Sequence, residues 1–134
     1  MPVLVDSNVL LDVLSHDSPW QAWSEAALAR AGDRSRLVIN QIVYAEVSVG
    51  YDSAEALDAE LPRAMFARED VPFEAAFLAG KVFLAYRRRG GERRSPLPDF
   101  FIGAHAAVSG YELMTRDAAR YRTYFPTLKL LAPD

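Results

Sequence analysis

Residues 3–14 read VLVDSNVLLDVL, and the place given to Asp6 decides the fold. Val3, Leu4 and Val5 form an unbroken apolar run, the pattern of a short strand covered on both faces. "SNVLLDVL" then starts a helix, with Ser7 or Asn8 as its predicted N-cap. Asp6 therefore stands at the carboxyl end of a buried strand. A lone charge is costly to desolvate, so Asp6 needs a partner. Asp12, one turn beyond Asn8, is assigned to the exposed side of that helix.

The pattern repeats outward from this segment. "SPWQAWSEAALARAG" is a helix capped by Ser18, with Pro19 in its first turn and Gly32 as its stop. "RLVIN" (36–40) is a second buried strand, and "QIVYAEVSVG" a helix ending at Gly50. "SAEALDAELP" is a short helix, and "AMFARE" a third strand. "PFEAAFLAGKVFLAYRRRGG" is a long helix. "SPLPDFFIGAHAAVSG" is another, opening at Pro98–Asp99 and closing at Gly110. "YELMT" is a strand, "RDAARYRTYF" a helix and "LKLL" a last strand. Short apolar strands alternating with helices predict an α/β layer fold with a mainly parallel sheet.

Composition narrows the chemistry. A chain of 134 residues, half of them hydrophobic, suits one domain over 1–134 with a real core. There is no cysteine, which excludes disulfides, thiolate zinc sites and cysteine nucleophiles and is compatible with a reducing cytoplasm. No apolar run is long enough for a bilayer, and no signal-peptide pattern opens the chain. The net charge of −3 argues against a simple nucleic-acid coat protein. Of fifteen basic residues only Lys81 and Lys129 are lysine. That bias fits either coding preference or phosphate recognition by forked donors.

Ligands of open parallel sheets gather beyond the carboxyl ends of the strands. Asp6 falls there directly, and Asp117 follows "ELMT" by two residues. Glu46 lies about two turns into the helix entered from strand 36–40, sharing a face with Ile42 and Val49 beside Val43. Asp99 opens a helix that is apolar nearly all round, with Gly103 and Ala106 leaving room on its face. Each aspartate alone has a structural reading: Asp6 and Asp117 as helix caps, Asp99 as a dipole partner. Four carboxylates converging on one sheet edge repel unless a cation sits among them. A hard divalent ion, magnesium or manganese, suits oxygen ligands. Ser7, Asn8 and Thr115 are then supports that orient ligands or hold water.

"VDSNVLLDVL", "NQIVYAEV", "LPDFFIGAHA" and "LMTRDAARYRTYFP" with "LKLLAP" together resemble the PIN-domain ribonucleases, in particular the VapC toxins of bacterial toxin–antitoxin pairs. The resemblance implies a PIN-like three-layer α/β/α fold, with Asp6, Glu46, Asp99 and Asp117 as the acidic quartet. It implies Mg2+- or Mn2+-dependent endonucleolytic cleavage of RNA and a cognate antitoxin. A homodimer in the cytoplasm is expected. Residues 50–70 carry little of the family pattern.

Arg87, Arg88, Arg89, Arg93 and Arg94 straddle Gly90–Gly91 just before Asp99. They suit a solvated helix end or a phosphate-binding surface, which Arg116, Arg120 and Arg122 would extend. His105 is expected to be packed and hydrogen-bonded; His16 falls in a loop. Trp20 and Trp23 are assigned to core or partner interface. A haloacid-dehalogenase-like phosphatase is disfavoured, because the position two after Asp6 is Asn8. A response-regulator receiver is disfavoured too, since it wants a paired acidic cluster early in the chain. A binding module without catalysis is the remaining alternative.

Overall fold

Strand β1 (Val3–Val5) lies at the middle of the sheet, and its three side chains have no exposure to solvent. Hydrophobic burial on both faces is what selects the continuous Val-Leu-Val run. β2 (Leu37–Ile39) pairs with β1 on one side, and β3 (Phe66–Arg68) pairs with β2 beyond it. β4 (Glu112–Met114) pairs with β1 on the other side, followed by β5 (Leu130–Leu131). Every pair is parallel, and the order is β3-β2-β1-β4-β5. The structure is a computed structural model and describes residues 1–91 and 96–134.

Seven helices are found among the described residues: α1 (Ser7–Ser15), α2 (Gln21–Arg34), α3 (Gln41–Ser48), α4 (Ala54–Glu60), α5 (Phe73–Arg88), α6 (Leu97–Ser109) and α7 (Ala119–Tyr124). The chain moves from β1 outward to β3, then returns across the sheet to β4 and β5. Right-handed crossovers place helices from the two directions on opposite faces, giving three α/β/α layers. The direction reverses between β1 and β4, and there the sheet opens a crevice at its carboxyl edge.

Local chemistry sets the helix ends, and several differ from the sequence expectation. α1 is capped by Asp6 rather than by Ser7 or Asn8. α2 begins at Gln21 and runs through Gly32 to Arg34. Ser18 lies ahead of it, accepting the Trp20 N–H at 3.0 Å. Asn40 caps α3, its side-chain oxygen accepting the Val43 N–H at 3.0 Å. α6 starts at Leu97, one residue before Pro98. Gly103 leaves no room on α6: a Cβ there would stand 2.5 Å from the Phe125 ring, so glycine admits the aromatic side chain that seals this face.

Asp12 is the clearest correction. It is buried, not on an exposed helix face. Its carboxylate accepts from Ser18 Oγ at 2.7 Å, Ser24 Oγ at 2.8 Å and Arg116 Nε at 2.7 Å. One acid therefore ties α1 to the turn before α2, to α2 itself and to the loop after β4. The i, i+4 pattern of α1 left it on the polar side because its partners lie far away in sequence. Replacing Asp12 with Ala strands these donors and should cost about 2–4 kcal/mol in denaturant unfolding. A loss below about 0.5 kcal/mol would restore the exposed-face assignment.

Candidate active site

The end of β1 is fixed from both directions. The Asp6 N–H donates to the Met114 carbonyl at 2.8 Å, which holds the first residue after β1 against the end of β4. The Asp6 side chain is 3 % exposed. As an ordinary cap it would accept from the second or third helical N–H. Instead Oδ1 accepts from the adjacent Ser7 N–H at 2.8 Å. Oδ2 accepts from Thr115 Oγ1 at 2.8 Å, from the Tyr121 hydroxyl at 3.0 Å and, weakly, from Asn8 Nδ2 at 3.4 Å. Capping thus accounts for only part of what this carboxylate does.

Thr115 is the hinge of the network. Its single proton goes to Asp6, so its oxygen is left to accept the Asp117 N–H at 3.1 Å and Asn8 Nδ2 at 3.3 Å. The Asn8 carbonyl oxygen in turn accepts the Arg116 N–H at 3.1 Å. Ser7, Asn8 and Thr115 therefore form one set of contacts about Asp6, at the switch point between β1 and β4.

Glu46 reaches this edge from α3. Its Oε1 accepts from Ser7 Oγ at 2.8 Å. It sits on the flank of the buried stripe that Val43 and Val47 form. Val49, expected on the same apolar face, is 88 % exposed. Asp99 comes from the first turn of α6 and is bound by Arg120 Nη1 at 2.5 Å. Asp117 is exposed, and it does not cap α7, whose N-cap Ala118 makes no side-chain bond.

The electrostatics show which carboxylates share a field. Burial pushes Asp6 from its ordinary value up to about 6, and the charges of Asp99 and Glu46 push the same way; the Thr115 and Tyr121 hydrogen bonds oppose this. Burial also raises Glu46, with Ser7 opposing and Asp99 adding. Asp99 is raised by burial, offset by the hydrogen bond and charge of Arg120, and raised further by Asp117. The Tyr121 phenol is held well above its usual range, first by burial and then by the Asp6 charge, so it stays a donor. Asp6, Glu46 and Asp99 thus form a coupled trio with Asp117 at its rim. Among the described residues, no three His, Asp or Glu side chains form a group that could hold a metal ion as they stand. The donor set is nevertheless oxygen throughout and carries an excess of negative charge, which is what a hard divalent cation fits. Asp99 is bonded instead to Arg120, and Glu46 to Ser7.

The arginines divide. Arg116 is spent on Asp12 and lies over the Trp20 ring at 5.9 Å, and Arg120 is spent on Asp99. Arg87, Arg88 and Arg89 are exposed at the carboxyl end of α5, with Arg89 over the Tyr124 ring at 5.5 Å. Arg93 and Arg94 lie outside the described residues. His105 is packed as expected: its Nδ1 meets Asn40 Nδ2 at 3.0 Å, and burial lowers its pKa. Trp23 packs at the edge of the core, while Trp20 is 39 % exposed. Sequence reasoning missed Tyr121 as a partner of Asp6. The only signal was its place within the "YRTYFP" motif, since a buried tyrosine on a short helix otherwise looks like core.

The PIN domain family model matches residues 3–126. No match is found among curated proteins. Among solved structures, VapBC2 from Rickettsia felis, bound to a DNA fragment from their promoter, has a TM-score of 0.76 at 18% identity over 100% of both chains. VapBC-1 from nontypeable Haemophilus influenzae has a TM-score of 0.73 at 18% identity, covering 98% of each chain. A toxin–antitoxin complex from Klebsiella pneumoniae has a TM-score of 0.63 at 24% identity, over 87% of this chain and 88% of the other. At such identities the likeness is one of fold.

In metal-free protein the raised Asp6 value has a signed consequence. Between its ordinary 3.8 and about 6, the folded state binds more protons than the unfolded one, so stability falls as pH rises through this window. Above it the full cost, on the order of 2–3 kcal/mol, is present. Asp6→Asn keeps the shape, and its amide oxygen can still accept from Thr115 and Tyr121, at the loss of the Ser7 N–H bond. In chelator above pH 6, this variant should be at least as stable as wild type and lose the slope across that window. Destabilisation by about 1 kcal/mol with the slope retained would mark Asp6 as a plain cap.

Proposed function

Because the chain belongs to the PIN-domain family, we propose that it is a divalent-metal-dependent endoribonuclease and the toxin half of a type II, VapBC-like toxin–antitoxin pair. The observation that carries the reading is the buried Asp6 at the β1–β4 switch point, sharing its field with Glu46 and Asp99. A binding module gains nothing from a carboxylate raised to about 6 beside two more. The residues support an ion better than they support histidine or cysteine chemistry: His105 is buried behind Asn40, and cysteine is absent.

Asp6, Glu46 and Asp99 would hold Mg2+ or Mn2+, with Asp117 completing the site. When bound, such an ion supplies Lewis acidity toward a phosphodiester and balances the carboxylate charge. The protein's own groups do the positioning. Ser7 orients Glu46, while Thr115 and Tyr121 fix Asp6 Oδ2, and Asn8 ties the Arg116 backbone to the same edge. The exposed Arg87, Arg88 and Arg89 at the end of α5 would supply phosphate contacts.

The proposed partners are a cognate antitoxin and a second copy of the chain. Phe73 and Phe77, one turn apart on α5, are 93 % and 69 % exposed, apolar surface of the kind that a partner covers. No helix among the described residues is long and apolar enough to cross a membrane. A nuclease acting on cellular RNA belongs in the cytoplasm.

Purified protein should cleave RNA with added Mg2+ or Mn2+ and stop in excess chelator. Asp6→Asn and Asp99→Asn should each lower the rate by about a hundredfold or more, the scale on which losing one electrostatic element of a site acts. Metal should raise the melting temperature of wild type more than that of either variant. Cleavage that persists in chelator rejects this mechanism. A second expectation concerns the α5 end. Replacing Arg87, Arg88 and Arg89 with Ala should weaken RNA binding and flatten its salt dependence by about 0.7 per lost phosphate contact. An unchanged slope would return the run to a solvated helix end.

A further inference from the structure

We propose that Arg120 is an exchangeable counter-cation of the carboxylate cluster. It holds Asp99 in the metal-free protein and gives that carboxylate up when a divalent ion binds, so it sets how tightly the metal is held. The inference rests on the metal-dependent reading above and adds to it a residue with a defined part in loading the site.

The partners of the carboxylates differ in kind. Asp6 is held by three neutral side-chain donors and a backbone N–H, and Glu46 by a serine hydroxyl. Asp99 is held by a full positive charge. Among the described residues, Arg120 makes the one ion pair formed with any of the four candidate carboxylates. Arg116, in the loop before α7, is engaged by buried Asp12 and forms no ion pair with the cluster. Two cations on one carboxylate compete, and a divalent ion shared by three carboxylates outweighs a guanidinium on one.

The pair is also placed where exchange is cheap. The Arg120 and Asp99 side chains are 40 % and 31 % exposed, so water and salt screen their attraction. Arg120 sits beside Tyr121 on α7, but the two residues play opposite parts. Tyr121 is buried, and its hydroxyl anchors the helix to Asp6. Arg120 stands on a flexible stem at the rim, so its guanidinium can swing into solvent while Tyr121 keeps α7 in place. The charge of Asp99 already acts on Asp6 and Glu46, and release from Arg120 frees its carboxylate to turn toward them.

The test titrates Mn2+ into metal-free, full-length wild type, R120Q and R120K by calorimetry, without RNA. R120Q should bind Mn2+ about three- to tenfold more tightly than wild type, the scale of a partly exposed ion pair. R120K, which keeps the competing charge, should stay near wild type. Independently of any variant, the side-chain Nη–H resonances of Arg120 in wild type, one of which donates to Asp99, should move toward solvent-exchanging behaviour as diamagnetic Mg2+ is added. Equal or weaker Mn2+ binding by R120Q, or an Arg120 resonance that Mg2+ leaves unmoved, overturns the exchange while the nuclease reading stands. A wild type that binds no Mn2+ and cleaves in chelator overturns both.

Discussion

The structure is organised around the burial of one carboxylate. Asp6 follows a strand that must lie at the middle of the sheet, because Val3, Leu4 and Val5 have no other way to leave water. The chain turns back across the sheet next to that strand, so Asp6 is set in the crevice between β1 and β4. Its backbone N–H on Met114 leaves its position no freedom. The protein therefore has to supply donors to a group that prefers water. It does so from three separate stretches: Ser7 and Asn8 on α1, Thr115 after β4, and Tyr121 on α7.

That requirement explains why the loop after β4 is so heavily tied. Thr115 spends its proton on Asp6 and its lone pairs on its neighbours, Arg116 is bonded through its backbone to Asn8 and through its side chain to Asp12, and Asp12 in turn fixes α2. Two buried aspartates, one capping α1 and one within it, thus do different jobs. Asp12 is fully compensated by a guanidinium and two hydroxyls, a structural arrangement. Asp6 has only neutral donors, and burial first, with the charges of Asp99 and Glu46 adding, raises its pKa.

Much of this was legible in the sequence, for reasons that can be named. The strands were visible because parallel strands covered on both faces are continuous apolar runs. Ser7 and Asn8 were visible as small polar residues next to Asp6, and Thr115, 109 residues away, because it ends the strand run "YELMT" at the same sheet edge and matches the family pattern. What failed depended on distance along the chain. Asp12 was placed outside because Ser18, Ser24 and Arg116 lie 6, 12 and 104 residues away. Gly103 was taken for space because no local pattern announces that the Phe125 ring fills it. Val49 followed helical periodicity one turn too far, past Ser48, where α3 ends.

The carboxylates also show how a fold can hold a charged cluster without an ion. Had Asp6, Glu46 and Asp99 been packed directly against one another, their repulsion would have added to three desolvation costs. Each instead has its own donor, which leaves them coupled but not merged. The donors differ with depth: backbone and neutral side chains at buried Asp6, a hydroxyl at partly buried Glu46, a guanidinium at partly buried Asp99. That difference follows dielectric cost, since an unpaired guanidinium is cheap at the rim and ruinous beside Asp6. It leaves partly exposed Asp99 as the carboxylate whose charged partner can change, and keeps buried Asp6 fixed as the reference about which the site is built.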